Sequence, residues 1–229
     1  MTSIGPSLMC ANMGELRDTI VRLDQAEADF FHFDIMDGKF VPNFTMGPDM
    51  IRELRHYTDK IFDAHLMIEE PERYIKVFAE AGCDMISVHA ESTIHLQRTL
   101  NQIKELGVKA GVALNPASSL NHLDYVWDIV DYVVLMTVNP GFAGQKFIPL
   151  TLEKIKKLKK LIQENGNSIE IQVDGNISYE IIPQVLNKGA DMLVCGTSCL
   201  FRKGESLEYS MANLHSFLEG LSKGNVANS

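Results

Sequence analysis

Basic residues, cysteines and long apolar runs are all scarce in this 229-residue chain. Twenty-one Lys and Arg stand against 30 Asp and Glu, a formal net charge of −9. The one dense basic stretch, Lys154 to Lys160, has apolar residues at helical spacing within it and reads as the solvated face of an amphipathic helix. A nucleic-acid partner needs a concentrated basic footprint and is not expected. No apolar run reaches the ~18 residues of a membrane span, so no membrane partner is expected either. Cys10, Cys83, Cys195 and Cys199 form no Cys-x-x-Cys pair and are too few for a disulfide framework. The N-terminal residues lack the basic start and apolar stretch of a signal peptide, and the chain reads as cytoplasmic. The shortage of positive charge poses a question. If the ligand is an anion, something other than Lys and Arg must make its site attractive.

What is present is an alternation. Short apolar runs recur at residues 4–9, 30–36, 61–67, 85–89, 109–114, 132–138, 169–174 and 192–195. Most precede a longer segment with apolar residues at i, i+3 and i+4, as at 13–26, 71–81, 93–106, 150–163 and 179–188, which predicts eight strands and about eight helices. Near-continuous apolar strands suit a parallel sheet covered on both faces. Eight βα units of this size approach a minimal (β/α)8 TIM barrel, with a doubly wound open sheet as the alternative that periodicity leaves open. No linker divides the chain. Residues 1–221 are expected to form one α/β domain and 222–229 a frayed tail.

In a parallel barrel, chemistry sits at the C-terminal ends of strands. The period of two in 31–37 puts His32, Asp34 and Met36 on one face, and a buried unpaired carboxylate there would cost several kcal/mol. Something cationic is expected beside it. The next strand ends with His65 and Met67, and the seventh ends at Asp174. Taken singly, each of these has an ordinary structural explanation. Together, two imidazoles and two carboxylates from three strands could hold a divalent transition metal with positions open to substrate. Met36, Met67 and Met136 end strands alongside them and could wall a charged centre against water. His89, closing the fourth strand, could lie behind that set. Glycine-bearing turns at 139–145, 174–176 and 196–198 follow the last three strands, where barrels commonly hold phosphate on backbone N–H groups. Peptide dipoles could therefore bind an anion without Lys or Arg.

At these positions the chain resembles the ribulose-phosphate 3-epimerase family over nearly its whole length. The matching segments are Pro6 to Met9, His32 to Asn43, His65 to Met67, Leu114 to Pro116, Met136 to Pro149 and Val173 to Gly175. The resemblance implies a (β/α)8 barrel of the ribulose-phosphate-binding type. It implies an isomerase that epimerises a phosphorylated ketose at C3, in an enzyme that is a homo-oligomer. It also implies that His32, Asp34, His65 and Asp174 bind one divalent ion (Zn, Mn, Fe or Co), with Asp34 and Asp174 doubling as acid and base. Ser7 and His65 would contact substrate near the metal, and Met36, Met67 and Met136 would wall the 2,3-enediolate. Gly141, Phe142, Ala143, Gly144, Gly175, Asn176, Gly196 and Thr197 would cradle the phosphate, with Pro140 to Gln145 as a lid.

Three departures from the family pattern bear on the substrate: Gly175-Asn176 in place of a glycine pair, Gly196-Thr197-Ser198 after the eighth strand, and Phe142-Ala143-Gly144 in the lid. They are similar to the branch acting on D-allulose 6-phosphate. The expectation is therefore a ketohexose 6-phosphate, converted to D-fructose 6-phosphate, ahead of D-ribulose 5-phosphate. A phosphate-binding lyase or decarboxylase would want a catalytic Lys at a strand end, and only Lys39 comes near. A sugar-phosphate sensor would need no carboxylate pair.

Overall fold

The computed structural model describes residues 2–226, with side chains described through Lys223. Eight parallel strands form one sheet: β1 (Ser3–Pro6), β2 (Phe30–Met36), β3 (Ile61–Met67), β4 (Met85–His89), β5 (Lys109–Leu114), β6 (Tyr132–Met136), β7 (Glu170–Asp174) and β8 (Met192–Cys195). The order β1-β8-β7-β6-β5-β4-β3-β2 runs once around, and a parallel bridge between Ser7 and His32 joins the two edges. The sheet is a nearly closed TIM barrel, which decides against the open doubly wound alternative.

Helices α1 (Leu16–Gln25), α2 (Pro48–Leu54), α3 (Ile75–Glu80), α4 (Leu96–Glu105), α5 (Thr151–Glu164), α6 (Ile182–Lys188) and α7 (Leu207–Val226) alternate with the strands. Seven α-helices are found among the described residues where about eight were expected. After β5 the chain makes only a 3-10 turn, Leu120–Leu123, opened by Ser119 capping the Asn121 N–H. Ser, Asn and Asp side chains in this stretch compete with helical backbone bonding, while Leu123, Val126 and Val130 still bury their side chains. The segment expected as a tail, 222–229, lies only partly within the described residues. Helix α7 continues to Val226, and 227–229 lie outside the described residues. No helix is long and apolar enough to cross a membrane among the described residues.

Two apolar layers hold the barrel. The larger lies between strands and helices and takes one face of each strand, for example Phe31, Phe33 and Ile35 of β2. On α5 the buried residues Thr151, Ile155, Leu158 and Ile162 form a stripe with Lys156, Lys157 and Lys160 exposed beside it, as the spacing predicts. The smaller layer fills the barrel with Phe30, Met85, Tyr132, Val134, Met136 and Met192. Glycines make room for its two aromatic rings. A Cβ on Gly5 would sit 2.0 Å from the Phe30 ring, and one on Gly111 would sit 2.4 Å from that of Tyr132. Above these rings the interior turns polar.

Candidate metal and substrate site

Strand register assembles the site. Along the β2–β3 ladder His32 lies beside Asp63, Asp34 beside His65 and Met36 beside Met67, while Met136 lies beside Asp174 on β6–β7. The period of two sends every second residue inward, so His32, Asp34, Asp63 and His65 all point into the barrel. There the ligand atoms of His32, Asp34, His65 and Asp174 lie within 4.8 Å of one another. His32 Nε2 is 3.5 Å from Asp34 Oδ1 and 3.8 Å from Asp174 Oδ2. His65 Nδ1 is 3.7 Å and 3.5 Å from the same two oxygens.

These separations are close to what four ligands at roughly 2.0–2.2 Å from a shared cation would show. The hydrogen bonding points the same way. His32 Nε2 and His65 Nδ1 are buried and have no hydrogen-bond partner, although nearly all buried polar atoms in proteins find one. Both face the carboxylate oxygens. Two imidazole nitrogens and two carboxylate oxygens suit a first-row divalent ion.

The charges are strongly perturbed. Burial pushes the Asp34 carboxyl up, but His32 and His65 beside it overcome this and hold it well below the usual carboxylate range. Burial pushes His32 down, yet the Asp34 and Asp63 carboxylates lift it well above its ordinary 6.5. His65 is raised as well: burial works against it, and Asp174 and Asp34 prevail. A second oxygen of Asp34 accepts from Ser7 Oγ at 2.7 Å. The end of β2 is fixed by Thr45, whose Oγ1 donates to the Asp34 carbonyl and accepts from Met36 N–H at 3.0 Å.

A cavity opens onto the carboxylates. Ser7, Asp34, Met36, Met67, Met136 and Asp174 line its floor and walls, and Gly141 to Gly144, Gly175, Asn176, Gly196 and Thr197 line its far side. All the expected substrate contacts are thus brought together except His65. Like His32 it is wholly buried and does not reach the cavity, although it lies beside Asp34 in the β2–β3 register.

The glycine turns are built as close-approach loops. Gly175 has φ 122°, and a Cβ there would stand 2.8 Å from Val138 N. Its carbonyl accepts from Thr137 Oγ1 at 2.5 Å, which ties the sixth loop to the seventh. Asn176 is held at φ 52° and accepts from Ser198 Oγ at 2.6 Å, which ties the seventh to the eighth. The segment Pro140 to Gln145 lies over the cavity, moored where Asn43 Nδ2 donates to the Gly141 carbonyl at 2.8 Å.

Several residues of the site went unmarked in the sequence. Asp63 accepts from His32 Nδ1 at 2.8 Å, Tyr132 Oη at 2.7 Å and Gln172 Nε2 at 2.7 Å, all buried. His89, suspected of lying behind the site, meets His65 through their Nε2 atoms at 2.8 Å. Glu91 stands behind His89 at 3.3 Å. Cys10 lines the cavity beside Gly196, its thiol pushed up to about 11 by burial and by Asp34.

The family model described as the ribulose-phosphate 3-epimerase family matches residues 3–201. Ribulose-phosphate 3-epimerase of Bacillus subtilis is 48% identical over 199 residues, covering 86% of this chain and 92% of that protein. The chloroplastic ribulose-5-phosphate-3-epimerase of Arabidopsis thaliana is 47% identical over 85% of this chain and 70% of its own length. The Escherichia coli K12 ribulose-phosphate 3-epimerase is 43% identical over 85% and 87%. Among solved structures, KGPDC from Streptococcus mutans has a TM-score of 0.74 at 14% identity, covering 96% of this chain and 98% of that one. A Pyrococcus furiosus tryptophan synthase alpha-subunit has a TM-score of 0.67 at 15% identity, covering 96% and 98%. At such identities these structures speak to the barrel alone.

Proposed function

Since the chain belongs to the ribulose-phosphate 3-epimerase family, we propose that it interconverts D-ribulose 5-phosphate and D-xylulose 5-phosphate by proton transfer at C3 between Asp34 and Asp174. The observation that carries the reading is the pairing of these two carboxylates from strands on either side of β1 and β8, at the floor of one cavity and over two histidines with unpartnered nitrogens.

Inverting C3 requires a proton to leave one face and another to arrive on the opposite face. One base would return the proton to where it came from, so two carboxyl groups in opposite protonation states are needed. One of Asp34 and Asp174 starts ionised, as the base, and the other protonated, as the acid. In the reverse direction the roles exchange. His32, Asp34, His65 and Asp174 would hold a divalent ion. What the ion supplies when bound is Lewis-acid stabilisation of negative charge on the substrate oxygens at C2 and C3. Ser7 orients Asp34 through their hydrogen bond. Met36, Met67 and Met136 keep water from the reacting carbon. The backbone N–H groups around Gly175, Asn176, Gly196 and Thr197 receive the phosphate, with Pro140 to Gln145 closing over it.

The pentose phosphate replaces the ketohexose 6-phosphate expected from the sequence. Relatives 43–48% identical carry the ribulose-phosphate name. Two of the three departures behind the hexose expectation meet each other: Ser198 Oγ donates to Asn176 Oδ1, so they account for one another as a brace between loops.

The test is exchange of the C3 hydrogen in deuterated water by the metal-loaded protein, with kcat/KM measured for D-ribulose 5-phosphate and D-allulose 6-phosphate side by side. Turnover of the pentose with little of the hexose is expected, and the reverse ranking would refute the substrate. Asp34→Asn and Asp174→Asn should each lower kcat by at least about 10³-fold, in the range that general acid–base groups contribute. Retained activity in either would remove that residue from the proton path.

A further inference from the structure

His65 can offer a cation its Nδ1 lone pair only if its proton is on Nε2. Its Nε2 faces His89 Nε2 at 2.8 Å, with the ring planes 25° apart and the centroids 4.9 Å apart, so the rings meet through their nitrogens rather than their faces. One proton lies between those two nitrogens, and either ring could carry it. What decides lies one step further out. His89 Nδ1 faces Glu91 Oε2 at 3.3 Å. A carboxylate accepts and cannot donate, so His89 must carry its proton on Nδ1. Its Nε2 is then an acceptor, His65 must donate from Nε2, and the Nδ1 lone pair of His65 is left facing the centre. A neutral imidazole has a single proton to place.

We propose that Glu91 is a positioning residue that sets the metal-binding tautomer of His65 through His89. The inference rests on the reading that His32, Asp34, His65 and Asp174 hold a cation. Glu91 itself has little freedom. Its Oε1 accepts from Asn115 N–H at 3.0 Å and from Ser118 Oγ, and Lys154 Nζ pins the same segment by donating to the Asn115 carbonyl at 2.6 Å. His89 is wholly buried, with the Phe40 ring 4.7 Å from its own.

The arrangement makes Glu91→Gln more harmful than Glu91→Ala. Asn115 N–H is a backbone donor and cannot reverse, so a glutamine must leave its oxygen there and turn its NH2 toward His89 Nδ1. That reverses the chain. His89 would carry its proton on Nε2, His65 would accept it, and His65 Nδ1–H would point at the cation. Alanine merely removes the selector.

The experiment measures Zn²⁺ affinity by chelator competition in the wild type, Glu91→Gln and Glu91→Ala, together with the ¹⁵N shifts of His89 in the metal-free proteins. Glu91→Gln should bind Zn²⁺ about 10–100-fold more weakly than wild type, the range in which groups behind metal ligands act, with Glu91→Ala between the two. Read at alkaline pH, where His65 is neutral, His89 should be protonated on Nδ1 in the wild type and on Nε2 in Glu91→Gln. Wild-type affinity in Glu91→Gln, or weaker binding in Glu91→Ala than in Glu91→Gln, would overturn the proposal. The wild-type tautomer decides the matter even if a variant does not fold, and Nε2–H on His89 there would refute it. A wild type that binds no Zn²⁺ while His89 carries Nδ1–H would sink the cation reading and leave the tautomer relay standing.

Discussion

The two histidines of the centre reach the same end by different routes. His32 is locked by one hydrogen bond to Asp63, a carboxylate sealed in the barrel and shared with Tyr132 and Gln172. His65 is reached through His89 from Glu91, whose side chain is 23% exposed at the rim and anchored by backbone and hydroxyl donors. Either carboxylate can only accept, so each turns a lone pair inward. They differ in what else they hold up. Asp63 is the common acceptor for three buried donors and belongs to the fold as much as to the site, whereas Glu91 can change with less damage to packing.

The sharpest way to break that comparison is Asp63→Ala. It strands His32 Nδ1–H, the Tyr132 hydroxyl and the Gln172 amide in a dry interior, where each unmet group costs about 1–3 kcal/mol. Partial relaxation should leave a loss of about 3–5 kcal/mol in chemical denaturation of the metal-free protein, against roughly 1–2 kcal/mol for Glu91→Ala at the rim. Similar losses at the two sites would erase the distinction.

Proton linkage separates the histidines' two tasks. His32 is raised well above 6.5 in the folded protein without metal, because the Asp34 and Asp63 carboxylates outweigh burial. A raised histidine contributes stability that is fully present below the unfolded value and is lost as the pH rises through the folded one. The metal-free protein should therefore lose stability as the pH climbs above 6.5. Cation uptake displaces that proton and the one on His65, which is raised as well, so affinity should rise by between about tenfold and a hundredfold per pH unit over that window and then level off. Thermal unfolding with and without metal, and titration calorimetry in buffers of different ionisation enthalpy, would measure both. A pH-independent affinity would mean that His32 is already neutral.

How far the sequence disclosed this site follows from what periodicity can see. Strands β2 and β3 were legible to the residue because Phe30–Met36 and Ile61–Met67 are apolar runs with sharp ends. His32, Asp34 and Met36 were grouped because alternate residues share a face. The same rule applied to β3 groups Asp63 with His65 and Met67, and applied to β7 groups Gln172 with Asp174, so half of the Asp63 network was within reach. Tyr132 was not, since nothing local says that its ring crosses the barrel to Asp63. Glu91 and Ser118 lie on different loops and meet only because β4 and β5 are neighbours. Asn176 and Ser198 could be seen as departures from a pattern, but their hydrogen bond could not, and it changes what they imply about substrate.

The finest distinction between the two supports is Asp63→Asn. Asp63 Oδ2 serves His32 and Gln172, while Oδ1 serves only the Tyr132 hydroxyl. An asparagine can keep its oxygen toward His32 and turn its NH2 to Tyr132, and a hydroxyl, unlike a backbone N–H, can accept as readily as it donates. The tautomer of His32 is then preserved. Loss of the charge makes His32 a weaker base and a weaker ligand, which should lower Zn²⁺ affinity by less than about tenfold. The same amide for carboxylate exchange would thus be mild at Asp63 and severe at Glu91, although Asp63 is the closer to the centre by one hydrogen bond. If Asp63→Asn lowers affinity more than Glu91→Gln, distance from the centre governs these supports and the reversibility of the donor beyond them does not.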